Sequence, residues 1–158
     1  MRAFVQHLAL ALTRQAAVGV DVENFAAFAA PIDIANHYFS PNEAAALIAL
    51  EREHQQRRFF EYWTFKESYI KARGMGLSLP LDKFTFSYPC ENTVMLDIDT
   101  ELEDDPHRWL LWQLQPEPNY LLALCVEKHA GIAPKLYVHP ALPGLSGDLP
   151  PPLLRTSK

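Results

Sequence analysis

"WTFKESYIKARGMG", Trp63 to Gly76, is the stretch on which the fold turns. It reads as the body of one helix, starting near Arg57 and stopping at Gly74, where glycine takes the left-handed conformation of a C-cap. On a wheel of about 100° per residue, Phe59, Trp63, Lys66 and Ile70 share one narrow stripe, so Lys66 points where the apolar side chains point. Glu67 and Lys71 lie one turn apart beside that stripe, and Thr64 and Ser68 continue a polar edge. A Glu-to-Lys pair at i,i+4 is a common surface feature contributing about 0.2–0.5 kcal/mol, and a lysine in an apolar stripe can snorkel to water. The other reading of the same charges is one wall of an anion site.

Upstream, "SPNEAAALIALE" opens a second helix, with Ser40 as N-cap, Pro41 at the first helical position and Glu43 closing a capping box. "PIDIANHYF" before it is a short helix from Pro31. "HLALALTRQAAVGVDVENF" reads as two strands joined by a turn near Thr13–Gln15. Downstream, "LSLPLDKFTFSY" is extended, with Phe84, Phe86 and Tyr88 on one face, and "HRWLLWQLQ" and "YLLALCVEK" are strands around a turn at 116–119. The order strand, three helices, antiparallel strands is an α+β arrangement. We divide the chain into a domain at 1–130 and a proline-rich tail at 131–158, laid over the surface or disordered.

Composition bounds the function. The chain has 158 residues, enough for one domain with a core, and at 49% apolar it is globular. A net charge of -5 with no basic run argues against nucleic acid as the main partner. No apolar run is long enough for a membrane span. At the start, Gln6 and His7 break the apolar run and Arg14 follows it, unlike a secretory leader, so the expected location is cytoplasmic. Cys90 and Cys125 are expected to be two unpaired core thiols.

In "VGVDVENF", period two puts Gly19, Asp21 and Glu23 on one strand face and Val18, Val20 and Val22 on the other. Two carboxylates on one face can bind a hard divalent cation and repel each other without one. D-x-E alone equally describes a solvated strand edge. Joined with Glu67, the set becomes three carboxylates, the way magnesium is held when substrate phosphates complete its shell, and two lysines on the same helix balance the remaining phosphate charge. A metal-dependent nuclease also uses such groups, but the acidic net charge disfavours it.

"GVDVE", "YFSPNEAAAL" and "WTFKESYIKARGMGLSLPLDKF" together resemble the 4'-phosphopantetheinyl transferases, specifically the surfactin-synthetase-activating type, over about Ala9 to Lys128. The resemblance implies one half of that family's two-half pseudo-dimer fold. It also implies Mg-dependent transfer of phosphopantetheine from coenzyme A to a serine of an apo acyl or peptidyl carrier protein, with release of 3',5'-ADP. By motif position, Asp21, Glu23 and Glu67 would be metal ligands and Glu67 the general base. Lys66 and Lys71 would hold the coenzyme A phosphates, Lys71 nearest the departing diphosphate, so that Lys66 faces inward toward an anionic ligand. Most of the family's first half, with its coenzyme A-contacting asparagine-leucine-serine-histidine segment, has no counterpart here, and His7 does not take over that histidine's role. Three arrangements fit a single half: part of a longer coding sequence, a short enzyme completed by self-association, or a decayed copy. The alternative to an enzyme is a non-catalytic relic or carrier-protein-binding module.

Overall fold

The computed structural model describes residues 9–129, 132, 134–139 and 150–157, excluding the Leu77 side chain. In chain order these form β1 (Val18–Asn24), a 3-10 turn (Ile32–His37), α1 (Pro41–Ile48), α2 (Arg52–Arg73), β2 (Phe84–Cys90), β3 (Thr93–Ile98), β4 (Trp109–Leu114), β5 (Tyr120–Glu127) and β6 (Leu153–Thr156). The strands make one sheet in the order β1-β5-β4-β6-β3-β2. Neighbours run antiparallel except β3 and β6. The expected α+β order of strand, three helices and antiparallel strands is what the chain adopts, the first helix being the 3-10 turn.

Both readable helix signals form. Ser40 Oγ accepts the Glu43 N–H at 3.3 Å, and Glu43 Oε2 accepts the Ser40 N–H at 2.8 Å, a reciprocal capping box with Pro41 beside it. Gly74 ends α2 at φ 65°. The helix starts earlier than expected, at Arg52, with no side-chain cap on its first turn. A start signalled by neither a cap nor an apolar face is invisible to periodicity.

α2 lies across the sheet and is buried on nearly every side. Phe60, Phe65 and Tyr69 are almost inaccessible, and ring contacts carry the last two into the sheet: Phe65 stacks on Phe86 at 5.2 Å, and Tyr69 meets Trp109 edge-on at 5.6 Å. Each such side chain contributes about 1.5–3 kcal/mol of burial. Among the residues from Trp63 to Lys71, only Trp63, Glu67 and Lys71 are not buried, and they fall on one line at i, i+4 and i+8.

Four expectations are corrected. Residues 9–13 form no strand: Leu10 and Leu12 are 81% and 83% exposed, and β1 takes β5 as its partner. Residues 7 and 8, the start of that expected strand, lie outside the described residues. The segment after Gly74 is not extended up to Phe84, because 3-10 turns occupy Gly76–Ser78 and Leu81–Lys83. Cys125 is a buried free thiol, but Cys90 is exposed at the end of β2. Within the proline-rich tail, expected to lie over the surface or be disordered, Leu153–Thr156 instead forms β6 and fills the gap between β4 and β3. Residues 131, 133, 140–149 and 158 of that tail lie outside the described residues.

Candidate active site

Gly19 brings β1 onto α2. A Cβ there would stand 1.9 Å from the Ser68 carbonyl oxygen and 2.5 Å from the Ala72 nitrogen, so only glycine allows this backbone-to-backbone approach. Period two then turns Asp21 and Glu23 toward the helix face that carries Glu67 and Lys71. The Lys71 ammonium donates to Asp21 Oδ1 at 2.7 Å and to the Val20 carbonyl at 3.1 Å. Trp63 stands beside Glu23 and works against the rise of its carboxyl.

The three carboxyl groups are all shifted in the same direction. Burial raises the Asp21 carboxyl above its ordinary range, against the pull of Lys71. Burial first, then the neighbouring Asp21 charge, raises both Glu23 and Glu67. Asp21 is 8% exposed, and its second oxygen, Oδ2, is buried without a hydrogen-bond partner. An orphaned carboxylate oxygen flanked by two half-buried carboxylates fits a hard divalent cation, whose ligands are carboxylates of this kind. The three carboxylates do not form a tight triad in this conformation. Among the described residues, the set of three whose ligand atoms all lie within 4.8 Å is Glu51, Glu53 and His54, which is fully on the surface. At Asp21 the balancing charge comes instead from Lys71.

Of the five expected site residues, the structure thus gathers Asp21, Glu23, Glu67 and Lys71 and separates Lys66. Lys66 has no exposed side-chain surface. Its ammonium lies 2.8 Å from Glu43 Oε2 and donates to the Leu81 and Phe84 carbonyls at 2.7 and 2.8 Å. With all three N–H groups engaged, none is free for a phosphate, and the expected phosphate role of Lys66 does not fit this geometry. Its stripe was read correctly, but its inward partner is a protein carboxylate. Burial lowers the Lys66 ammonium and raises the Glu43 carboxyl, and each partner opposes the other's shift. Glu43 Oε1 also accepts the Phe86 N–H at 2.7 Å, so one capping-box side chain ties α1 to α2 and β2. Glu43 and Trp63 are the two residues that reading for chemistry passed over. The capping box pointed to one, and the aromatic on the Glu67 line to the other.

The sequence model of ACPS, the 4'-phosphopantetheinyl transferase superfamily, matches residues 17–125, the span that holds every element of this site. The chain belongs to that superfamily. It is 32% identical over 108 residues to 4'-phosphopantetheinyl transferase Sfp of Bacillus subtilis (strain 168), covering 68% of this chain and 46% of that protein. With 4'-phosphopantetheinyl transferase HetI of Nostoc sp. it shares 34% identity over 125 residues, 77% of this chain and 48% of the relative. The chain therefore spans about half the length of these curated relatives. The crystal structure of Thermotoga maritima holo-[acyl-carrier-protein] synthase superposes with a TM-score of 0.56 at 18% identity, over 71% of this chain and 62% of that one, a likeness of fold. The resemblance to the surfactin-synthetase-activating type agrees with these relatives.

Proposed function

We propose that this chain carries the acid-base and metal-holding half of a Mg-dependent 4'-phosphopantetheinyl transferase, which moves the phosphopantetheine arm of coenzyme A to a serine of an apo acyl or peptidyl carrier protein. The observation that carries the reading is the Lys71–Asp21 contact at 2.7 Å beside Glu23 and Glu67, on the one open line of a superfamily fold. Asp21, Glu23 and Glu67 would hold the ion. When bound, Mg2+ neutralises charge on the diphosphate oxygens and so favours attack at phosphorus. Glu67, its carboxyl raised by burial and by Asp21, is poised to take the proton of the carrier serine as that oxygen bonds to phosphorus. The diphosphate P–O bond then breaks and 3',5'-ADP leaves with the electron pair. Lys71, half exposed at the end of the line, is placed to meet the charge on that leaving group.

Because the relatives are about twice as long, the nucleotide-gripping groups are assigned to a complementary half, supplied by further chain or by a second copy. The proposed setting is the cytoplasm. Among the described residues, no helix is long and apolar enough to cross a membrane.

The test is incubation of the chain, alone and with a first half taken from a relative, with MgCl2, coenzyme A and an apo carrier. A carrier mass gain of one phosphopantetheine arm, absent with Glu67→Gln of unchanged circular dichroism, is expected. Transfer by Glu67→Gln at the unmodified rate removes Glu67 from the chemistry. Carrier binding without transfer under both conditions favours a non-catalytic relic or carrier-protein-binding module.

A further inference from the structure

The sheet is continuous only because of its last strand. β6 joins β4 at Trp112, Gln113 and Leu114 across a register shift, and joins β3 at the single pair Thr93 and Thr156. Three prolines, Pro150, Pro151 and Pro152, precede it, and none has an N–H to add to a ladder. The strand lies beyond residues 17–125, the stretch matched by the superfamily.

What the slot reads is one side chain. Arg155 is 8% exposed; its NH1 donates to Gln113 Oε1 at 2.8 Å and its NH2 lies 3.2 Å from Glu61 Oε2. The guanidinium sits over the Tyr88 ring at 4.3 Å. Gln113 is fully buried and Glu61 is 4% exposed. A buried carboxylate, a buried amide oxygen and an aromatic face make a receptor for a guanidinium. Glu61 keeps Arg57 and Arg58 as further partners, whereas the Gln113 oxygen is served by Arg155.

We propose that β6 is a detachable strand, and that the slot between β3 and β4 is a peptide-binding site for an extended, arginine-centred segment, filled here by the chain's own Leu153–Thr156. The ladder is short: β6 pairs with β4 at three positions and with β3 at one, and it extends by one bond at each end, from the Gln115 N–H to the Pro152 carbonyl and from the Ser157 N–H to the Leu111 carbonyl, before the prolines stop it. Release means breaking this one six-residue stretch and the Arg155 contacts. The buried polar groups make it selective, because a strand without arginine leaves the Gln113 oxygen unsatisfied. An empty slot also bares the facing edges of β3 and β4, so the site favours being filled. Its state reaches α2. The Gln113 amide donates to the Glu61 carbonyl and to Thr64 Oγ1 at 3.0 Å each, in the turn that carries Trp63. This inference stands apart from the proposed transferase reaction.

Hydrogen exchange followed by mass spectrometry on the unmodified full chain is the first test. Detachment predicts that the Leu154–Thr156 amides exchange about tenfold or more faster than those of Leu121–Val126 in β5. Equal rates, with both strands released only by global unfolding, overturn the proposal. The second test introduces a protease site within residues 141–147, cleaves the folded chain, and adds labelled peptide of residues 150–158. Uptake of that peptide is expected, with its Arg155→Met version binding about tenfold more weakly. No uptake, or equal uptake of the two peptides, overturns the assignment.

Discussion

The Lys66 ammonium and the Glu43 carboxylate lie 2.8 Å apart with no exposed side-chain surface on either, while Lys71, five residues along the same helix, is half exposed beside Asp21. The two lysines of one motif therefore do different work. Lys66 joins α2 to α1 and to the residues leading into β2, and Lys71 faces the carboxylates.

That difference is measurable. Lys66→Met strands a buried carboxylate and is expected to cost about 3–5 kcal/mol in urea unfolding. Adding Glu43→Leu to it should recover part of the loss, because an apolar pair replaces a lone charge. Lys71→Ala should cost clearly less than Lys66→Met, because half of the Lys71 side chain is in water, although it leaves the buried Asp21 carboxyl without its cation, and it should weaken coenzyme A binding in titration calorimetry. Equal destabilisation by the two lysine variants would contradict this division.

Gly19→Ala should cost at least about 1–3 kcal/mol, because the new methyl overlaps backbone atoms of α2 that have no side-chain freedom to yield. The strand must move off the helix, which carries Asp21 away from Glu67. Any stabilisation by MgCl2 should therefore vanish in the same variant. Thermal scans with and without the salt check both effects.

The pH dependence of the carboxylates follows from their raised values. Asp21, Glu23 and Glu67 hold protons more tightly in the folded chain than in the unfolded one. As pH rises from the ordinary carboxyl range, about 4, through their folded values, these groups subtract stability. A bound divalent cation competes with those protons and favours the ionised forms. The rise in melting temperature on adding MgCl2 should be near zero at about pH 4, grow toward neutrality and disappear in Asp21→Asn. A pH-independent rise, or one kept by that variant, would place the ion elsewhere.

Asp104 behaves oppositely. Burial works against its charge, but bonds from Tyr69 at 2.6 Å and the Trp109 indole at 2.9 Å, with Arg73 and Arg108 alongside, hold its carboxyl below the ordinary range. Its contribution is complete above the unfolded carboxyl range and is lost as pH falls through the depressed folded value. Asp104→Asn should cost about 3 kcal/mol at neutral pH and less in acid. Urea titrations at two pH values decide it.

How far the fold could be read depended on whether the signal was local. The Ser40–Glu43 capping box and the Gly74 stop are contained within a few residues, and both formed. The face shared by Gly19, Asp21 and Glu23 was equally legible, because strand period is local. The partner of Lys66 was not: Glu43 sits on another helix, and a helical wheel gives direction without naming what lies there. β6 was hidden for a related reason. Its flanking prolines and four-residue length read as a tail, and its place is fixed by the slot in the sheet and the Glu61–Gln113 pair, far away in sequence.

The near-complete enclosure of α2 also bears on how the protein can be altered. Around its middle turns, every direction but one is occupied by packed neighbours, so substitutions there act first on folding. Glu67 and Lys71 stand in the remaining direction, where side chains can be exchanged with little repacking. Engineering of reactivity and engineering of robustness can accordingly proceed on separate positions of one helix.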